Sequence, residues 1–361
     1  LLAIILLRSE TLIPQGNVSG TWQVAGSPYV IQGFIDVPQD SVLIIEPGVT
    51  VKFEENTNIQ VWGRLISIGT ASDSITYTSY EPEGTWECIV FQSTDSTFQD
   101  SSFLKYCRIE NGSGYGPSGV AGGAIFFDMS SKICLEYCFI TNNTAQAGGG
   151  VYLNYSSPVI KNCTFTNNTA TGTYEEAGGG AIYLYTDSDP VLEDLIVKYN
   201  HAEGGYGGGG IAGYFAEPIM SNILIDNNTS SVSGGGLSLV RFIGTMNNLE
   251  VINNHSTGSG GGIQILYGAQ TINNSVIRDN SSEEVGGGLD IAYVGATFLD
   301  YCDVSYNTAP EGGGVGIHNQ AVHFDHVTCF GNEASVGSGG GIYNYFDPSD
   351  PPCPSINNSI I

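Results

Sequence analysis

Short runs in which apolar and polar residues alternate recur along the chain, each opened by glycines: GGGVYLNY at 148–155, GGGLSLV at 234–240 and GGGIQIL at 260–266. Alternation with period two marks a half-buried strand. A second apolar piece follows, entered at proline in Pro158-Val159-Ile160, Pro190-Val191-Leu192 and Pro218-Ile219-Met220, as expected where proline starts a strand. Next comes a polar residue (Asn162, Asp194, Asn222, Asn248, Asn274), then a third apolar piece such as Cys163-Thr164-Phe165 or Leu195-Ile196-Val197. Nothing in these units has a 3.6-residue apolar period, so helix is excluded as the main element.

The units repeat. The apolar residue closing each glycine group falls at Ile125, Val151, Ile182, Ile211, Leu237, Ile263, Leu289, Val315 and Ile342, with gaps of 26, 31, 29, 26, 26, 26, 26 and 27 residues. A second marker keeps the same period: an apolar residue with Asn three places on, as Ile140/Asn143, Phe165/Asn168, Val197/Asn200, Ile225/Asn228, Val251/Asn254, Ile277/Asn280 and Val304/Asn307. A unit this small cannot bury its own apolar face, so neighbouring units must stack and share one core. The reading is all-β: a right-handed parallel β-helix with about three short strands per coil of ~26 residues and coils ~4.8 Å apart.

Stacking predicts columns. Phe127, Leu153, Leu184, Leu239, Ile265, Ile291 and Ile317 point inward from the first strand, and Cys138, Cys163, Leu195, Ile223, Leu249, Cys302 and Val327 from the third. The Asn after the second strand is expected in a left-handed turn, bonded to its neighbours above and below. The asparagines Asn143, Asn168, Asn200, Asn228, Asn254, Asn280 and Asn307 read as structural turns ending the third strand. The glycines are expected at a corner where a Cβ would strike the next coil. Residues 1–8 read as the remnant of a secretory signal peptide, 9–40 as an N-terminal cap and 41–361 as the β-helix; residues 355–361 open a further third strand, so truncation at the C-terminus is expected.

Gly122-Gly-Ala-Ile125, Gly179-Gly-Ala-Ile182, Phe139-Ile-Thr-Asn142 and Phe165-Thr-Asn-Asn168 resemble the GGA[ILV] and FxxN repeats of the chlamydial polymorphic membrane proteins. Leu43-Ile-Ile-Glu-Pro-Gly-Val-Thr-Val51 and Trp62-Gly-Arg-Leu-Ile-Ser-Ile-Gly-Thr70 look like the first coils of large secreted bacterial right-handed β-helix proteins. The resemblance implies the fold and a secreted or cell-surface location, with outer-membrane association. For activity it spans adhesins, passengers and polysaccharide-cleaving enzymes of pectate lyase-like fold.

Charge narrows the partners. With 10 Lys+Arg against 36 Asp+Glu the net charge is −26, so the chain lacks the basic footprint a nucleic acid requires. The 50 glycines serve as punctuation rather than low complexity. The seven apolar residues at the start are too short to span a bilayer, and no transmembrane segment is read. The eight cysteines contain no CxxC pair, which argues against a zinc or redox motif; Cys138 and Cys163 share a column, where a disulfide or two buried thiols would fit.

Candidate chemistry is sparse. Glu136, Lys161 and Glu193 read as an alternating ladder across successive coils. Asp187 and Asp189 are a carboxylate pair with a glycosidase's requirement in view, weighed against an exposed turn. His318, His323, Asp325 and His326 form the richest polar stretch, although alternation sets His323 and Asp325 opposite His326 unless the turn intervenes. Glu283, Glu284 and Glu311 would make an acidic edge for Ca²⁺; otherwise no cofactor is implied. Two aromatic columns stand out: Phe126, Tyr152, Tyr183 and Tyr343 one place after the glycine group's apolar residue, expected to face outward, and Tyr155, Phe215, Tyr267, Tyr293 and Phe346 four places after it. Either could receive a sugar chain or partner, or reflect ring-on-ring stacking alone. No catalytic constellation is recognised. The reading favours a structural or adhesive binding module for an extracellular glycan or protein, with a polysaccharide lyase, glycoside hydrolase or carbohydrate-binding module as the alternative.

Overall fold

A computed structural model describes residues 10–92, 101–114, 122–174, 177–293, 295, 297–318, 321–345 and 354–361. Its strands form three sheets of 23, 13 and 8 strands. The 13-stranded sheet collects the first strand of each coil, and its parallel register runs Val151, Ile182, Ile211, Leu237, Ile263, Leu289, Val315, Ile342. These are the residues that close the glycine groups, so the sequence period is the coil. The 23-stranded sheet holds the second and third strands, which fuse into single strands at Val191–Lys198 and Ile219–Asp226. The 8-stranded sheet is built from two-residue strands such as Thr169–Ala170 and His201–Ala202, a fourth element in the coils between Thr144 and Ala334 that is too short for periodicity to register. No helix among the described residues is long and apolar enough to cross a membrane.

Both inward columns are buried in one continuous core. At Gly213 the first-strand column gives up its side chain, because a Cβ there would lie 2.7 Å from the ring of Phe242, which turns in from the next coil. Among the described cysteines, Cys88, Cys107, Cys134, Cys138, Cys163, Cys302 and Cys329 are free thiols. Burial pushes those of Cys107 and Cys163 well up, so they remain protonated small hydrophobes.

The corners explain the polar residues. Asn162, Asp194, Asn222, Asn248 and Asn274 have φ of 50° to 56°, and the Nδ2 of Asn248 donates to Asn222 Oδ1 at 2.9 Å as Asn222 does to Asp194 at 3.0 Å. The same corner carries Tyr106, Tyr137, Tyr301 and His326, also left-handed. A non-glycine residue in that region costs roughly 1 kcal/mol. Here rings offset it by stacking: Tyr106 on Tyr137 at 4.9 Å and Tyr301 on His326 at 4.4 Å between centroids.

The second asparagine series differs from expectation. The left-handed residue is the one before each, Asn142, Asn167, Tyr199, Asn227, Asn253, Asp279 and Tyr306, while Asn143, Asn168, Asn200, Asn228, Asn254, Asn280 and Asn307 are buried. Each Nδ2 donates to the Oδ1 of the next coil's Asn, at 2.9 Å for Asn143 and 3.0 Å for Asn307 to Asn332. They form an internal amide ladder, not the turns themselves. Asn332 extends it because Cys329 takes the apolar place three residues before.

At the glycine corner the first residue is left-handed, as Gly148 and Gly260 at φ 60° and 69°. The second faces the next coil: a Cβ on Gly149 would sit 2.4 Å from Gly180 O, and one on Gly180 2.1 Å from Gly209 O. No side chain fits.

Candidate functional site

The two aromatic columns part company in three dimensions. Phe126, Tyr152 and Tyr343 are half-buried and Tyr183 fully so, which corrects the expectation that this column faces outward. Tyr183 packs with Ala147, Ala177 and Ala212, the first two from segments that precede glycine groups, and Tyr152, Tyr185 and Tyr214 pack against that cluster. Alternation placed these rings outside the solenoid but not outside the protein. Tyr155, Phe215, Tyr267 and Tyr293 are exposed, each at a left-handed corner with φ of 48° to 54°; Phe346 lies outside the described residues.

The exposed column is more than aromatic. Arg241 occupies the same corner position, φ 51°, and its guanidinium lies 4.9 Å from the Phe215 ring centre and 5.9 Å from that of Tyr267. Tyr293 stacks on Tyr267 at 5.4 Å. The coil of Ile182 carries one extra residue at this corner, so the left-handed place passes to Asp187, φ 50°, whose N–H donates to Phe215 O at 2.8 Å. Successive coils therefore present Asp187, Phe215, Arg241, Tyr267 and Tyr293.

Two places further along each coil lie Asp189, Glu217, Ile243 and Ala269, and Asp189 Oδ1 accepts the Glu217 N–H at 2.7 Å. Between the two rows runs a groove of about 650 Å³, bounded by Asp187, Asp189, Phe215, Glu217, Arg241, Ile243, Tyr267, Gly268, Ala269 and Gly295. Phe242 shapes it. By turning into the core it leaves the solvent side to Ile243, 54% exposed, and Gly268, where a Cβ would be 2.2 Å from Phe242 O, adds no side chain. The result is an apolar floor of Ile243 and Ala269, a wall of ring edges and guanidinium, and carboxylates at one end. Tyr267, with Arg241 on one side and Tyr293 on the other, offers its edge and hydroxyl rather than an open face. Such a surface can cover a carbohydrate's C–H face and bond its hydroxyls.

Asp187 and Asp189 were read as a pair from their spacing; the structure adds Glu217 and Arg241, which only the coil register brings alongside. The charge ladder is extended too, Lys105 Nζ lying 2.7 Å from Glu136 Oε2 and Lys161 pairing with Glu193. Glu283, Glu284 and Glu311 each have a separate neighbour: His255 at 3.9 Å from Glu283, Ser259 at 3.2 Å from Glu284, and the Tyr343 hydroxyl on Glu311. His326 takes the exception left open for an intervening turn. Its left-handed corner turns the ring back, Nδ1 lying 3.1 Å from Asp325 Oδ1.

Comparison with known proteins decides the family. The model of the right-handed β-helix region matches residues 43–273. The chain belongs to the right-handed β-helix family. No curated protein matches it in sequence. Among solved structures, a mannuronic acid-specific polysaccharide family 6 lyase from human gut microbiota is similar at 13% identity, covering 84% of this chain and 78% of the lyase, with a TM-score of 0.35. A GH136 lacto-N-biosidase from Eubacterium ramulus is similar at 11% identity over 88% of this chain and 62% of the other, TM-score 0.24.

This β-helix also holds a buried ion pair. Asp290 is 3% exposed, and His318 Nε2 lies 3.1 Å from its Oδ1. Burial raises the Asp290 carboxyl, with His318 pulling the other way; the hydrogen bond to Asp290 raises His318, with burial opposing. Both groups bind protons more tightly folded than unfolded. Their contribution is therefore complete at low pH and is lost as pH rises, through Asp290's raised pKa and then, above about 6.5, through that of His318. Urea melts across this range are expected to show the stability of the native chain falling relative to Asp290→Asn as pH increases. A difference that stays constant would contradict the pairing.

Proposed function

We propose that this β-helix is a non-catalytic, secreted or cell-surface binding module whose corner groove takes a neutral or amine-bearing glycan. The observation that carries the reading is the groove itself: Ile243 and Ala269 beneath, Phe215, Arg241 and Tyr267 along one side, and Asp187, Asp189 and Glu217 at the end. The floor suits pyranose C–H groups, and the carboxylates accept hydrogen bonds from hydroxyl or ammonium groups. Three acidic side chains beside one cation, on a chain of net charge −26, repel a polyuronate. Arg241 is held between rings, where it stiffens the wall. The adhesive role and the extracellular setting follow from the choice of ligand.

A glycan array, read together with an assay for released reducing or unsaturated ends, tests this. Binding to neutral or amino-sugar chains without release is expected. Tyr267→Ala and Arg241→Ala should each weaken it by about tenfold, the loss of one well-placed contact of roughly 1.4 kcal/mol, with melting temperature lowered by no more than a few degrees as the stacking at these left-handed corners is lost. Turnover of any polysaccharide would overturn the non-catalytic reading, and binding confined to uronates would overturn the charge argument.

A further inference from the structure

Leading to the corner between the second and third strands, the outward row of the second strand changes character along the coils. Asn247, Asn273, Asp300, Asp325 and Asn357 are register neighbours. Asn273 donates its amide back to Asn247 at 3.0 Å, away from Asp300. The amide row thus gives way to two carboxylates one coil apart, about 4.8 Å in backbone spacing. Like charges directly opposed in neighbouring strands are destabilising unless a counter-charge lies between them. Asp300 Oδ1 is buried and has no hydrogen-bond partner, an arrangement that costs free energy unless something else completes it.

We infer that Asp300, Asp325 and His326 form a site for a divalent transition-metal ion, with zinc as the best match. One ligand atom from each lies within 4.8 Å of the other two, so an ion among them is at most about 2.8 Å from each donor, and small rotamer shifts close that to the ~2.0–2.1 Å of zinc bonds. The Asp325 Oδ1 to His326 Nδ1 separation of 3.1 Å is already near the edge of a tetrahedron with such bonds. Tyr301, stacked on His326 at 4.4 Å and 10°, fixes the imidazole plane, and Asn358 Nδ2 holds Asp325 Oδ1 at 3.0 Å. An imidazole with two carboxylates favours zinc over calcium, which prefers six or more oxygens. Three protein donors leave a position open to water or to a ligand. The site lies on the second-to-third-strand corner, apart from the groove lined by Asp187 and Arg241.

Calorimetric titration of the untagged chain with zinc chloride, with calcium chloride in parallel, tests the site. About one equivalent of zinc should bind with a dissociation constant near or below 10 μM, and excess calcium should not compete. His326→Gln and Asp300→Asn should each weaken zinc by at least about tenfold while keeping the native circular dichroism spectrum, since His326 is exposed and Asn matches Asp in shape. Cobalt gives a second readout: a visible d–d band that His326→Gln removes. No zinc binding by the native chain, or binding that both variants leave unchanged, would overturn the assignment.

Discussion

Gly261→Ala is expected to be among the most damaging methyl groups that can be added to this chain. The new Cβ would stand 2.3 Å from Ser281 O, 2.4 Å from Ser281 C and 2.5 Å from Gly287 O. All three are backbone atoms, Ser281 twenty residues further round the winding and Gly287 at the glycine corner of the next coil. Flexible side chains can swing aside, but moving these atoms breaks parallel ladder bonds such as Gly261 N to Gly286 O at 3.0 Å and Gly262 N to Gly287 O at 3.1 Å. Overpacking a side-chain core typically costs 1–3 kcal/mol; with backbone on the receiving side the loss should be about 3 kcal/mol or more, a fall in melting temperature of several degrees. Gly295→Ala is the matched control, its nearest atoms being Ala269 Cβ at 3.6 Å and Gly268 O at 3.7 Å. It should melt within a degree or so of the native chain. Thermal melts followed by circular dichroism make the comparison, and equal effects at the two sites would contradict the close stacking of the glycine corner.

Asn228→Ala should cost about 3–5 kcal/mol, because one side chain satisfies groups in three coils. Its Oδ1 accepts Asn200 N at 3.0 Å and Asn200 Nδ2 at 2.9 Å, while its Nδ2 donates to Val197 O at 2.9 Å and Asn254 Oδ1 at 3.0 Å. Alanine leaves each of these buried and short of a partner, and removes volume as well. Asn222→Gly tests the other ladder. That residue is exposed and left-handed, φ 56°, so glycine loses the bonds to Asp194 and Asn248 but gains backbone ease, and the cost should be below about 1 kcal/mol. Urea melts of the two variants should therefore differ several-fold in lost stability. Similar losses would mean that the buried row contributes no more than the surface one.

These two contrasts also mark how far the sequence alone reaches. The inward columns were legible because burial repeats every second residue within a strand and every coil between strands; Leu153, Leu184 and Ile265 fall where alternation put them. The glycine corner was legible for the same reason. Alternation says which side of a sheet a residue takes and nothing about what folds over that side, so Tyr183 was assigned to solvent while Ala177 and Tyr214 cover it. Asn143 and its stack were recognised by spacing but misplaced by one residue, since a left-handed turn reverses the side chain that follows it.

The groove was legible in fragments. Asp187 and Asp189 stand two places apart in the sequence and the ring positions recur in pattern, but the extra residue in the Ile182 coil shifts the count. Only coil-to-coil register aligns Asp187 with Phe215 and Arg241. Arg241 shows no partners along the chain because its neighbours, Phe215 and Tyr267, are 26 residues away on each side. Asp300 and Asp325 are separated in the same way. A solenoid's sites are written across the repeat, and a chain read in one dimension shows each contributor without its partners.

A fold assembled from near-identical coils gains function where one coil departs from the rest. The Ile182 coil supplies Asp187 through its extra residue, and the Leu237 coil supplies Phe242 in the core and Ile243 on the surface. Together they open a recess in an otherwise even corner. A crystal structure with an array-selected neutral or amino-sugar oligosaccharide should show sugar rings on Ile243 and Ala269 with hydroxyl or ammonium groups bonded to Asp187, Asp189 or Glu217. Ordered saccharide elsewhere, over Tyr106 and Tyr137 for instance, with this groove holding only solvent, would contradict it.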